Sequence, residues 1–177
     1  MRIGIDISQI AYKGTGVAGY ARSLVGELLR IDKENEYILF FSSLRRKFPH
    51  NALTSRGKQN FKIKAFKFPP LLLDLLWNRL HILPIEWLIG DVDVFITSDW
   101  TEPPTIRARK ATILYDLIVY KYPHETDRRI VETQKRKLKW VKKESSMIFC
   151  ISEATKRDAI GILGIEEKRL KVIKPGV

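Results

Sequence analysis

The stretch Gly14-Thr15-Gly16-Val17-Ala18-Gly19 has the composition and spacing of a loop that meets a phosphate or a sugar. Glycines lack a Cβ, so backbone N–H groups at a helix start can approach such a ligand closely. The same glycines also suit a flexible turn, with Gly19 making room for helix packing, and the residues alone leave both uses open. Formally the run is G-x-G-x-x-G, but a dinucleotide fold places the first Gly directly after a strand. Here Ser8 to Lys13 intervene. The acid expected about 20 positions on, to hold a ribose hydroxyl, gives way to Leu39-Phe40-Phe41-Ser42-Ser43. Arg45 and Arg46 would suit a 2′-phosphate, which keeps an NADP-dependent oxidoreductase domain as a rival reading.

Other chemistry-bearing residues are fewer. Asp91-Val92-Asp93 is spaced like a metal–diphosphate motif, yet it follows Gly90 and precedes an apolar strand, so it reads as a turn. His50, His81 and His124 are scattered without ligand spacing, and no metal site or cofactor is predicted. Cys150, the single cysteine, lies in Met147-Ile148-Phe149-Cys150-Ile151 and reads as a packed, inert thiol. Asp116 ends an apolar run, where a carboxylate either meets a substrate or caps the next turn. Ser152 and Glu153 open a helix, by plain capping or with substrate contact. No Ser-His-Asp or nucleophile-elbow pattern occurs.

These residues need a frame, and the apolar pattern supplies it. Strands are predicted over Arg2–Ser8, Tyr37–Ser42, Phe61–Phe66, Val92–Thr97, Ala111–Tyr115, Met147–Ile151 and Leu170–Ile173. The alternation of apolar residues with Lys places Phe61–Phe66 near an edge. Helices are predicted over Gly16–Ile31 (buried stripe Val17, Tyr20, Leu24, Val25, Leu28, Ile31) and Thr126–Glu144 (Ile130, Val131, Leu138, Val141). A third runs from the Ser152 cap to Gly164. Strands alternating with helices imply an α/β fold: a parallel, Rossmann-like sheet covered on both faces, in one domain spanning residues 1–177. Ligands of such sheets bind beyond the carboxyl ends of the strands. That directs attention to the loops after Ser8, Thr97, Tyr115 and Ile151, and so to Asp99, Tyr115 and Asp116.

Leu71 to Ile89 is rich in Leu and carries Trp77 and Trp87, but Asp74, Arg79, Pro84 and Glu86 interrupt it. It reads as two short amphipathic helices hinged at Pro84, packed on the core in preference to lying in a membrane interface. Net charge is +12, concentrated in two patches. Leu44–Phe68 holds Arg45, Arg46, Lys47, Arg56, Lys58, Lys62, Lys64 and Lys67 with no acid, and Thr126–Glu144 holds eight basic residues against three acids. Such patches suit a solvated surface or an anionic partner, including a membrane surface. A nucleic-acid-binding module is the other rival, supported only by Phe48, Phe61, Phe66 and Phe68 near the first patch. Asp6 breaks the opening apolar run, which argues against a secretory leader and, with the lone cysteine, for a cytoplasmic location.

Four stretches in order resemble the N-terminal half of the retaining GT-B family called group 1 glycosyltransferases. Gly4-Ile5-Asp6 with the glycine run through Leu24 is similar to its opening strand and helix start. Val92-Asp93-Val94-Phe95 followed by Pro103 is similar to its next conserved strand. Tyr115-Asp116-Leu117 with Tyr122-Pro123 resembles its "HDL…YPE" motif, with Tyr115 where the family usually has His. Ile151 to Asp158, then Val172-Ile173 and Gly176-Val177, resembles "VSEATKRDL…VIPNGV". The resemblance implies one half of a two-domain enzyme that moves a sugar from a nucleotide-sugar to a glycan or lipid-linked acceptor. This half would bind the acceptor, and a C-terminal donor-binding domain would lie outside this chain, so that the fragment alone is expected to be inactive. It also implies a metal-independent cleft lined by Gly14, Thr15, Gly16, Val17, Tyr20, Asp99, Tyr115, Ser152 and Glu153, with Asp116 as the catalytic carboxylate. Location on the inner face of the cell membrane, bound peripherally, fits the basic patches.

Overall fold

All the strands pair in parallel, so every connection must cross a face of the sheet. The computed structural model describes residues 1–12, 14–48 and 60–176. It contains β1 (Arg2–Asp6), α1 (Gly16–Ile31), β2 (Glu36–Ser42), β3 (Phe61–Phe66), α2 (Pro70–Leu73), a π-helix (Asp74–Arg79), α3 (Glu86–Ile89) and β4 (Val94–Thr97). There follow β5 (Arg109–Leu114), α4 (Ile118–Lys121), α5 (Arg128–Glu144), β6 (Ser145–Cys150), α6 (Glu153–Leu163) and β7 (Leu170–Val172). The strands are ordered β3-β2-β1-β4-β5-β6-β7, with β3 at one edge as its Lys alternation predicts. The order reverses between β1 and β4, which makes their carboxyl ends the switch point of the sheet.

Coverage of both faces explains the sequence of β2, where every residue from Tyr37 to Ser42 is buried. Tyr37, Leu39 and Phe41 pack with α1, while Ile38 and Phe40 pack on the other face with Leu73, Trp77, Ile85 and Ile89. Two stripes differ from expectation. On α1 the buried line is Ala18, Ala21, Val25 and Leu29, and Ile31 is exposed. The small alanines let the helix approach the sheet, so the contact line follows them in preference to the larger neighbours. On α5, Val131, Leu138 and Val141 are buried but Ile130 is not, and Lys137 takes a buried place.

The Leu-rich segment is more irregular than two hinged helices. After one α-helical turn it widens into the π-helix, where the Leu80 N–H donates to the Leu75 carbonyl at 2.9 Å. The turn before α3 then uses positive φ at His81 (53°) and Leu83 (66°). Trp77 is the anchor: it is buried against Phe40, and its indole N–H donates to the Leu83 carbonyl at 3.0 Å. Core packing thus accounts for the inner face. Leu71, Leu75, Leu80, Ile82 and Trp87 stay exposed. Among the described residues, no helix is long and apolar enough to cross a membrane.

The aromatics near the first basic patch belong to the core. Phe48 packs edge-on against Phe41, and Phe66 stacks between Phe40 and Phe68. They are therefore unavailable as a base-stacking platform, which removes the support for the nucleic-acid reading. Arg56, Lys58 and His50 of that stretch lie outside the described residues, as do Lys13 and Val177.

Cys150 is buried in β6, and burial pushes its thiol up to about 11. At pH 8 the native chain should therefore react with Ellman's reagent far more slowly than the chain unfolded in guanidinium. Equal rates would mean that β6 opens freely or that the thiol is not packed.

Candidate functional site

The carboxyl ends of β1 and β4 part around a groove made of three adjoining cavities. One, of about 220 Å³, lies over Asp6, Ser8, Gln9 and Ser42, walled by Phe68, Leu71 and Ile130. A second, of about 420 Å³, runs along Tyr12, Thr15, Val17, Pro70 and Asp99. The third, of about 310 Å³, is bounded by Val17, Asp99, Tyr115, Asp116 and Lys137. Trp100 borders all three. A larger concavity of about 900 Å³, between Arg2, Trp87, Asp93 and Arg107, faces the strand starts at the opposite edge.

The loop carrying Asp99 and Trp100 is fixed by charges taken out of water. Glu102 is 0% exposed. Its carboxylate accepts from Thr97 Oγ1 at 2.5 Å and Ser145 Oγ at 3.3 Å, and pairs with Lys110 at 3.1 Å. Lys110 also reaches Glu144 at 2.9 Å, and Glu144 meets His81 at 3.0 Å. Lys137, 2% exposed, donates to the Ser98 carbonyl. Burial pushes the Lys137 ammonium below the ordinary lysine range, while Glu102, Asp99 and Asp6 oppose that shift. From the other side, the Asn78 amide donates to the Trp100 carbonyl at 2.9 Å and its oxygen receives the Glu102 N–H at 3.0 Å. An uncompensated charge in such a place costs several kcal/mol, so the loop has little freedom.

Two acceptors lie at the groove, one buried and one partly open. Gln9 is 3% exposed, borders two of the cavities, and its Oε1 has no hydrogen-bond partner among the described residues. Asp99 accepts from Gln134 Nε2 at 3.2 Å, and burial raises its carboxyl above the usual range despite Lys137. Asp6 is likewise raised by burial, although Ser8 donates to it through N–H at 2.9 Å and Oγ at 2.6 Å.

The structure does not bring all the residues expected from the sequence to the groove. Thr15, Val17, Asp99, Tyr115 and Asp116 border the groove. Gly14 and Gly16 flank Thr15 but line none of the three cavities. Gly14 takes φ +87°, which favours glycine, and Thr15 caps α1 by accepting from Ala18 N at 3.2 Å. A Cβ added at Gly16 or Gly19 would meet nothing within 4 Å, so Gly19 does not make room for helix packing. Tyr20 and Tyr115 are turned inward. The Tyr20 hydroxyl donates to the Ile173 carbonyl at 3.0 Å, and its ring meets Tyr115 edge-on at 5.7 Å. Tyr115 shares a hydrogen bond of 2.9 Å with Ser98, and burial drives its phenol well above its usual range. Ser152 accepts from Thr155 N at 3.1 Å, the capping role, and with exposed Glu153 it borders none of the three cavities. Asp116 also caps, accepting from Ile118 N at 3.0 Å, while its second oxygen is unpaired among the described residues. Asp93, of the rejected metal motif, accepts from Arg2 N at 2.7 Å.

Residues 7–15 separate β1 from α1, and the 3-10 turn Ser8–Ala11 fills the place of a tight dinucleotide loop. Gln9 and Trp100 were within reach of the rule that ligands sit after strand ends, since each lies in a loop so identified. Lys137 was not, because its charge conceals a buried helical position.

A family model described as Glycosyltransferase Family 4 matches residues 14–177. No curated protein matches the chain.

The Lys137→Met substitution should lower stability by about 3–5 kcal/mol, by leaving the buried carboxylates short of a cation. Urea unfolding followed by circular dichroism reads this directly, and an unchanged midpoint would show that the cation is not needed to hold the loop.

Proposed function

The chain belongs to glycosyltransferase family 4, with the fold of the N-terminal half of a GT-B enzyme, and we propose from that premise that it forms the acceptor-side wall of a retaining hexosyltransferase cleft. The nucleotide-sugar is held mainly by a second domain facing the carboxyl edge of this sheet. This chain holds a glycan or lipid-linked acceptor. The reading places the enzyme in the cytoplasm, peripheral on an anionic membrane face, with nucleic acid not a partner.

The observation that carries the reading is the groove at the β1/β4 switch point. Its shared wall, Trp100, offers an aromatic face to the C–H face of a sugar ring. The Asp99 carboxylate supplies an acceptor for a hydroxyl of such a ring, and Gln9 borders two of the cavities. Rigid positioning of Asp99 and Trp100 follows from the ion pairs that hold their loop, and positioning is a large part of what a transferase needs.

Transfer requires a nucleoside diphosphate to depart from an oxocarbenium-like centre, so charge must be met where it develops. At the start of α1, the N–H groups of Gly16 and Val17 have no intrahelical partner, and the helix dipole adds positive character there. The open space over Gly16 lets a diphosphate come close. On the facing rim, the free oxygen of Asp116 orients the acceptor hydroxyl. Tyr20 and Tyr115 act one step back, by fixing the Asp116 and Ser98 loops. Ser152 and Glu153 stand outside the groove and hold the start of α6.

Gly16→Asp separates the transferase reading from a plain turn. An acid in the first turn suits a helix, so the fold should be retained or stabilised. In the protein assayed with its donor-binding half, transfer should be lost, because like charges a few ångströms apart in a partly desolvated site repel by several kcal/mol. Near-normal transfer would leave the loop as a turn only.

Calorimetry of the 177-residue chain with UDP-, GDP- and ADP-sugars checks the division of labour. Heats should correspond to binding no tighter than about millimolar. A micromolar constant would move the donor site onto this domain.

A further inference from the structure

The outer side of the π-helix carries a ridge that the core does not use. Leu71, Leu75 and Leu80 are 82%, 43% and 55% exposed. Four residues separate the first pair and five the second, and the π-turn is what keeps Leu80 in line above Leu75. An unbroken α-helix would have rotated it away. Ile82 extends the exposed apolar line. Contiguous apolar residues on a surface mark a place of contact.

α5 lies directly beside this ridge and runs in the same direction. Arg136 meets Asp74 at 3.0 Å, Trp140 donates to the Asn78 carbonyl at 2.9 Å, and Glu144 meets His81 at 3.0 Å. The Trp140 ring stacks on His81 at 3.6 Å, between Leu80 and Ile82 in sequence, and Lys139 and Lys143 hold their ammonium groups over that ring at 5.7 and 4.9 Å. Lys137 and Arg136 are spent inside. Lys139 and Lys143 remain exposed beside the ridge, whereas Lys135 lies over Tyr120 and Lys142 points toward Gly164. A leucine ridge flanked by lysines and an interfacial tryptophan has the chemistry of an anionic bilayer surface, with apolar insertion and headgroup attraction side by side.

We propose that this face, the Leu71–Leu75–Leu80 ridge with the basic side of α5, docks on an anionic lipid bilayer and presents the groove to an acceptor anchored in it. The ridge and the groove are continuous, because Leu71 and Ile130 wall the cavity over Gln9 and Arg129 stands at its rim. A membrane-anchored acceptor then enters sideways from the lipid surface. The docking does not depend on the transferase reading; the choice of acceptor does.

Vesicle sedimentation tests the docking on the chain itself. Binding to phosphatidylcholine vesicles should rise with added phosphatidylglycerol and fall as salt is raised from about 0.05 to about 0.5 M. The triple variant Leu75→Ser, Leu80→Ser, Ile82→Ser should bind anionic vesicles roughly tenfold more weakly. Because these positions are exposed, its circular dichroism should match wild type. Lys139→Gln with Lys143→Gln should flatten the salt dependence. The proposal is overturned if wild type does not bind, if the serine variant binds equally, or if neutral vesicles serve as well. It is also overturned if the ridge mediates a dimer in sedimentation equilibrium that excludes vesicles. With the donor-binding half present, the serine variant should lose transfer to a vesicle-borne acceptor and keep transfer to a water-soluble analogue. Absence of transfer to either by wild type would count against the transferase reading and leave the docking result standing.

Discussion

Glu102 sits at the junction of β4, β5 and β6 with no exposure to solvent, and a carboxylate there must find partners within the protein. Thr97, Ser145 and Lys110 supply them. Lys110 in turn has to answer a second acid, Glu144, which is why the end of α5 is drawn against the turn that holds His81. The chain between Thr97 and Glu102 is thereby held at both ends. Asp99 and Trp100 project from it into the groove because neither end can move. Such a network adds little net stability compared with a well-packed apolar core, but breaking it is expensive, so it specifies one loop conformation.

The groove inherits its character from that restraint. Burial disfavours the charged forms of Asp6 and Asp99, and Lys137 partly offsets this from below. The result is a cluster of oxygen acceptors on a rigid floor beside an exposed indole. The glycine-rich start of α1 stands across from it with open space over Gly16. The two tyrosines that border this region spend their hydroxyls on the protein, at Ile173 and Ser98, and so shape the wall without offering a free group to it.

α5 divides its lysines and arginines between two tasks. Lys137 and Arg136 serve the interior, where they answer the Ser98 carbonyl and Asp74. Lys139 and Lys143 stand beside the leucine ridge, over Trp140, while Lys135 lies over Tyr120 on another side. Net charge alone therefore overstates what this helix offers a partner. The π-turn has a parallel double effect, since it seats Trp77 in the core and keeps Leu80 aligned with Leu75 outside.

The α/β class, the order of the strands along the chain, the three long helices and the caps at Ser152 and Gly164 were legible in the sequence. Each of these rests on residues within a few positions of one another: unbroken apolar runs, period-3.6 stripes, a hydroxyl before a helix and a glycine after it. It also directed attention to the loops after the strand ends, where Asp99 and Asp116 lie. Tertiary structure decided the rest. Lys137 reads as one more charge of a basic helix until Ser98, 39 residues away in the chain, is brought beneath it. Glu102 and Ser145, 43 apart, are coupled only once β4, β5 and β6 are neighbours. Gln9 and Trp100 gain meaning from the gap between β1 and β4, and the π-turn from the need to seat Trp77 against Phe40. Local patterns fix which segments are strands and helices; buried charges and large side chains answer to partners that only the folded chain supplies.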